Sequence, residues 1–267
     1  MLLLYNLPTF CMAALVVGAT LAAALLGYVI FRRCAPIELD AEQRAMTISM
    51  VSVITTINSL LVAFAAISVW DAYNDANRTV AAEASCAGEL ARDLAAFSSP
   101  NADATGRALR GYLERVVENE WPLMQQQARF DPEAEARFDA MFDSANLIQP
   151  TGPRQTTLLA EVLARANEMV KYREQRIATL DVAMPVTLWA VMIVVSLLSF
   201  LLLYALPATR FHVALTSAWA VTLGLAFFFV LAVDRPFAGD VSVSSAPFRQ
   251  TIDALIARGT WPAAPIH

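Results

Sequence analysis

Residues 45–70 read AMTISMVSVITTINSLLVAFAAISVW, 26 positions without one charged side chain, and the chain runs on through Asp71-Ala72-Tyr73-Asn74-Asp75-Ala76 with no turn signal between. About 20 apolar residues at 1.5 Å rise cross a hydrocarbon core of about 30 Å, so this run is long enough to span a membrane. Its apolar residues do not alternate with period two, and a backbone in lipid must satisfy its own hydrogen bonds, so a helix is expected. The absence of a breaker after Trp70 predicts one helix from about Met46 to Phe97, projecting far beyond the bilayer.

Working outward, three more apolar runs end abruptly at charges. The first lies within Met1–Phe31 and stops at Arg32-Arg33; another fills Val182–Thr209 before Arg210; the last, Phe211–Val233, stops at Asp234-Arg235. The first has no Lys or Arg ahead of its apolar stretch and exceeds a signal-peptide core in length, so it reads as a retained span. The expected fold is therefore all-α: a four-span transmembrane helical protein with a helical-bundle insert between spans two and three. The expected units are a first hairpin over 1–70 (spans about 9–31 and 46–70), an insert over 71–181, a second hairpin over 182–240 (spans about 182–206 and 211–233) and a C-terminal tail over 241–267.

The insert carries the charge of the molecule. Of 24 acidic and 19 basic residues in the chain, 18 and 12 lie between Asp71 and Asp181. Ser98-Ser99-Pro100-Asn101, Phe130-Asp131-Pro132 and Gln149-Pro150-Thr151-Gly152-Pro153 divide it into four stretches of helical periodicity. Asp131 before Pro132 is a cap followed by a first-turn proline. The last stretch is expected to run into span three, kinked only by Pro185.

The composition excludes whole classes of function. The chain is 57% hydrophobic and 16% charged, against roughly 45–50% and 25% in soluble domains. A net charge of −5 offers no footprint for nucleic acid. Cys11, Cys34 and Cys86 are too scattered for a disulfide framework or a zinc site, and His212 with His267 cannot form a metal set. Nucleophile-elbow, zincin, Walker and dinucleotide fingerprints are absent, and the spans hold no buried ionisable groups for intramembrane catalysis. No enzyme activity, cofactor or metal is expected.

Three constellations remain. In span two, Ser49, Ser52, Thr56, Ser59, Ala63 and Ala66 recur at spacings of 3 and 4 and share one helix face. Such a face either packs closely on another helix or lines an ion or water path built from several copies of the helix. Asn58, off that face, is interhelical glue or a pathway ligand. At the end of span four, Asp234-Arg235-Pro236-Phe237-Ala238-Gly239-Asp240 is an interfacial ion pair with a helix stop, or a vestibule where Arg235 acts on passing anions. Glu118-Asn119-Glu120-Trp121-Pro122 reads as a solvated helix end at a break, with Trp121 as a packing anchor.

Ordered blocks across the chain resemble the bacterial bestrophin-like domain family: Val69-Trp70-Asp71-Ala72-Tyr73-Asn74-Asp75-Ala76, Ala82-Glu83-Ala84, Tyr112 with Val116-Val117-Glu118-Asn119-Glu120-Trp121-Pro122, then Arg173–Arg176 with Ile177, Pro185-Val186-Thr187-Leu188-Trp189, and Asp234 to Gly239 with Pro247-Phe248. The match spans roughly Thr9 to Leu255 and departs at Ile37–Ala45, where Glu42-Gln43-Arg44-Ala45 replaces the family's Asn-Glu or Asn-Asp pair. The resemblance implies a relation to bestrophins, pentameric anion channels whose second span lines the pore. It therefore implies a homo-oligomer in a bacterial inner membrane, with the insert and both termini cytoplasmic; the arginine counts on the two sides do not themselves decide orientation. The leading expectation is an oligomeric channel for small anions lined by span two. The alternative is a non-conducting scaffold or sensor whose insert binds an unidentified protein.

Overall fold

The computed structural model describes residues 5, 7–34, 39–207 and 209–261; the start of the first apolar run, residues 35–38 of the first loop, and His267 lie outside the described residues. Among the described residues the chain is helical with no strand. In order come α1 (Thr9–Cys34), α2 (Ala41–Phe97), α3 (Pro100–Arg115), a π-helical turn (Val116–Glu120), α4 (Trp121–Gln127), α5 (Pro132–Asn146), α6 (Pro153–Ala178), a 3-10 turn (Thr179–Asp181), α7 (Val186–Ala205), α8 (Arg210–Val233) and α9 (Ala246–Ala257).

Four of these segments are long and apolar enough to cross a membrane. The second of them, α2, is a single 57-residue helix, roughly 85 Å long. It starts in a capping box, with Asp40 accepting from the Gln43 N–H and the Gln43 side chain accepting from the Asp40 N–H. It ends at Ser98, whose left-handed backbone (φ 53°) turns the chain into α3. The continuity expected beyond Trp70 is present because Asp71–Phe97 holds no proline and only one glycine, Gly88.

The expected continuity of α6 into span three is not present. The helix closes in a 3-10 turn at Thr179–Asp181, Val182 is extended, and α7 restarts after Pro185. The cause is local: proline offers no N–H and disfavours helix in the residue before it. The Met184 N–H, freed from any helix, donates instead to Asp234 Oδ1 at 2.6 Å. Pro185 is thus a break, not a kink.

The core divides along α2. Beside the spans, Met12, Ala65, Val69, Met192, Val230 and Val233 form one buried cluster, and Ala24, Phe200, Tyr204, Ala220 and Leu223 another. α1 packs on α8 closely enough that a Cβ on Gly224 would stand 2.9 Å from the Val17 Cα. Beyond the spans, Val80, Leu90, Leu94, Phe97, Leu109, Tyr112, Met141 and Met169 build a larger core. Val243, Phe248, Leu255 and Trp261 belong to that same core. The segment after Asp240, expected as a tail, is therefore an integral part of the extramembrane bundle, with α9 packed on α2 and α3. Its apolar positions, Phe248, Ile252, Leu255 and Ile256, follow helical spacing and had no other surface to cover.

Candidate functional site

At about 100° per residue, α2 presents three faces within its apolar half, roughly a third of a turn apart. Asn58, Ala65 and Val69 are buried against α7 and α8. Val53, Ile57, Leu60 and Phe64 are exposed large apolar residues, a surface suited to lipid tails. Ser49, Ser52, Thr56, Ser59 and Ala63 form the third face, also exposed, and Ala66 is half-buried. The hydroxyl face is therefore not the packing face of its own chain.

Three of the four hydroxyls on it are turned back to their own helix. Ser49 Oγ donates to the Ala45 carbonyl at 3.1 Å, Thr56 Oγ1 to Ser52 at 2.8 Å and Ser59 Oγ to Thr55 at 2.9 Å. Those carbonyls already serve the helix ladder, so each hydroxyl can rotate outward and donate without orphaning a backbone group. Asn58 stands elsewhere: it is fully buried, its Oδ1 lies 3.2 Å from Ser196 Oγ on α7, and its Nδ2 has no partner among the described residues. It joins α2 to α7 and does not share the hydroxyl face.

The exit motif is a joint between membrane and extramembrane parts. Asp234 accepts from the Met184 N–H, fixing α8 to the entry of α7. Burial raises its carboxyl pKa, against the opposing pull of that N–H and of Arg235. Pro236 accepts from the Val243 N–H at 2.8 Å, and Phe237 is buried edge-on against Trp121, ring centres 5.8 Å apart. Gly239 has φ +80°, and a Cβ there would meet the Tyr5 carbonyl oxygen at 3.1 Å, which is why glycine stands at this turn. Asp240 Oδ2 accepts from Thr9 N at 2.9 Å and so caps α1.

Arg235 is half-buried, in a depression with Met124, Ala128 and Leu180, and among the described residues no carboxylate lies within ion-pairing distance of it. The structure does not bring it to the hydroxyl face. Val233 shares a buried cluster with Val69, and Val69 lies 13 residues along α2 from Thr56, roughly 20 Å.

Sequence reasoning missed the most concentrated chemistry in the molecule. Glu83 of α2, Tyr112 of α3, Glu120 of the π turn and Arg173 and Arg176 of α6 meet in the extramembrane core, each 6% exposed or less. Arg176 Nε donates to Glu83 Oε2 at 2.7 Å and Nη2 to Glu120 Oε2 at 2.9 Å, while Nη1 faces Met124 Sδ at 3.1 Å. Tyr112 Oη donates to Glu83 Oε1 at 2.7 Å. Trp121 and Phe248 flank the guanidinium with ring centres 5.7 and 5.8 Å from it. Arg173 lies 3.6 Å from Glu120 Oε1 and 5.5 Å from the Phe138 ring centre.

Burial drives the Tyr112 hydroxyl well above its usual range, with Glu83 adding to it. Burial works against the charge of Arg176, but Glu83 and Glu120 outweigh it and hold the cation well above its ordinary value.

Glu120 is thus not part of a solvated helix end. The π turn, one residue wider than an α turn, points it inward and absorbs Pro122, which sits in the first turn of α4 without breaking the chain direction. Trp121 is the expected anchor, with Nε1 donating to the Val243 carbonyl at 3.1 Å.

A family model for the bestrophin-like domain matches residues 18–248. The chain belongs to the bestrophin-like domain family. The crystal structure of a point-substituted membrane protein superposes with TM-score 0.59 over 92% of this chain and 97% of that one, at 11% identity, a likeness of fold. No curated protein matches. All of the α2 face, the buried ionic cluster and the exit motif of this bestrophin-like chain lie inside the matched range.

Proposed function

We propose that this bestrophin-like membrane protein is one subunit of an oligomeric channel for small anions, with the Ser49–Ser52–Thr56–Ser59–Ala63 face of α2 turned to a shared axis. The observation that carries the reading is the separation of three faces on one span. The buried face is spent on α7 and α8, the large apolar face suits lipid, and the hydroxyl face remains exposed with rotors able to solvate an ion. The kinship with bestrophins supports anions as the cargo. The path is uncharged, so ions would shed little water and be weakly held, as conduction requires. Arg235 follows α8 on the insert side, at the end of α2's apolar half that Val69 occupies, roughly 20 Å along that helix from Thr56, where it would act at the far mouth. In this reading the membrane is a bacterial inner membrane and the insert is cytoplasmic, a scaffold that holds the span and does no catalysis.

The test is anion efflux from liposomes holding the purified protein, compared with Ser52→Leu and Thr56→Leu. Efflux is expected from the wild type and not from the variants, whose added apolar bulk dewets the path. Equal leakage from empty and protein-bearing vesicles contradicts conduction and favours the scaffold alternative.

A further inference from the structure

A second feature stands apart from the α2 face. Between α4, the loop from Asp240 to Ser245 and the first turn of α9 lies a cleft of about 310 Å³. Trp121 Nε1 holds the loop by its bond to the Val243 carbonyl. Gln125 Nε2 donates to Ser242 Oγ at 2.9 Å, and the Ala246 N–H donates to Ser244 Oγ at 3.1 Å. A hydroxyl used as an acceptor keeps its own hydrogen, so both serines on the cleft wall have a donor to give.

Ser245 lines the same cleft at 6% exposure, and its hydroxyl has no partner among the described residues. That oxygen keeps some contact with solvent on the cleft wall, so it takes its partner from whatever fills the cleft. Arg249, one turn into α9, also lines the cleft, and among the described residues no carboxylate lies within ion-pairing distance of it. The positive end of α9 adds to its field. Asp240, the acid among the lining residues, is committed to the α1 N-terminus through Thr9 N at 2.9 Å and Thr9 Oγ1 at 3.1 Å. That cap also fixes the height of the cleft, because Thr9 is the first residue of a span. An adjoining cleft of about 530 Å³ shares Gln125 and Asp240 and continues past Tyr5.

We propose that this cleft binds a phosphate group, carried by a phospholipid headgroup at the membrane surface or free in solution. Three hydroxyl donors and a guanidinium at the positive end of a helix dipole are the chemistry that recognises a tetrahedral oxyanion; the first-turn N–H groups of α9 are themselves bound to Ser244 and Ser245. The site does not depend on conduction by α2.

The experiment titrates the purified full-length protein in detergent by calorimetry, at constant chloride, with inorganic phosphate in one arm. The other arm uses phosphatidylglycerol in mixed micelles, with diacylglycerol as the phosphate-free control. Saturable binding is expected in at least one phosphate arm and not with diacylglycerol. Arg249→Gln is expected to weaken it about tenfold, with Arg249→Lys retaining more affinity and Ser52→Leu leaving it unchanged. Binding of inorganic phosphate assigns the site to free phosphate, and binding of the lipid alone assigns it to a headgroup. Circular dichroism verifies that Arg249→Gln is folded, as expected for an exposed side chain. Absence of saturable binding in both arms, or equal affinity of wild type and Arg249→Gln, overturns the proposal.

Discussion

Replacing Arg176 by Met should be among the most damaging single changes in the extramembrane bundle. The side chain is fully buried and contacts two carboxylates that are themselves fully buried, Glu83 at 2.7 Å and Glu120 at 2.9 Å. Methionine keeps most of the volume and packs against Trp121 and Phe248, so the loss is one of charge and hydrogen bonding. Glu83 retains the Tyr112 hydroxyl and Glu120 retains Arg173 at 3.6 Å, which compensates one negative charge of two. Removing one partner of a buried ion pair costs about 3–5 kcal/mol. At roughly 2–4 °C per kcal/mol for a chain of this size, the melting temperature should fall by about 6–20 °C. The assay is thermal unfolding of the detergent-solubilised protein, run beside Arg78→Met, whose pair with Asp75 is exposed and should have no measurable effect. The double variant Glu83→Gln/Arg176→Met should be no less stable than Arg176→Met alone, because it removes one stranded charge. A fall of less than 2 °C for Arg176→Met, or strict additivity in the double variant, would refute the claim that these five residues act as one unit.

Other outcomes follow from neighbouring geometry. Burial pushes the Asp131 carboxyl up, but the Arg115 hydrogen bond at 2.6 Å and the Glu133 N–H outweigh it and hold the pKa below its ordinary value. A depressed folded pKa stabilises above the unfolded value of about 3.9 and is lost as pH falls through the folded one. Asp131→Asn, which keeps the cap, should therefore lower the melting temperature at pH 7, and the difference from the wild type should shrink as the pH falls below the ordinary carboxylate range through the depressed folded value. Burial, reinforced by Glu168, pushes the Cys86 thiol up to about 12, so at pH 8 a thiol reagent should modify it only as fast as the protein unfolds. Rapid labelling of the native state would contradict its placement, and the side of the insert is better mapped with a cysteine introduced at exposed Ser98. Gly224→Leu should force α1 from α8 at a cost of about 1–3 kcal/mol or more. Gly106→Ala, with open space around it, should instead raise stability by about 0.5–1 kcal/mol.

The spans and the long α2 were legible because charge-free length and missing breakers are one-dimensional properties of a chain. The buried ionic cluster was missed, although the sequence carries a signal for part of it. Glu83 falls on the stripe of Ala76, Val80 and Ala87 at core spacing, and Arg173 and Arg176 fall between Met169 and Leu180 on the stripe of α6. Charges of opposite sign at core positions of two helices are the signal. Glu120 carried no such mark, since its inward direction comes from a π turn that shifts the helical register. In the sequence the exit motif reads as an interfacial ion pair with a helix stop or as a vestibule, whereas the partners that define it, Met184, Trp121 and Thr9, come from three distant stretches. The α2 hydroxyl face was visible as a pattern, but spacing alone does not say whether a face meets its own chain. That depends on Asn58, Ala65 and Val69 having taken the contacts with α7 and α8.

The proposed channel stands or falls with the third face of α2 lying on a shared axis. An image of the purified oligomer at side-chain detail tests it most directly. Several copies around a central path, with Ser52, Thr56 and Ser59 lining it and Val53, Leu60 and Phe64 outside, are expected; a lone protomer, or an axis lined by the Leu60 and Phe64 face, contradicts the channel.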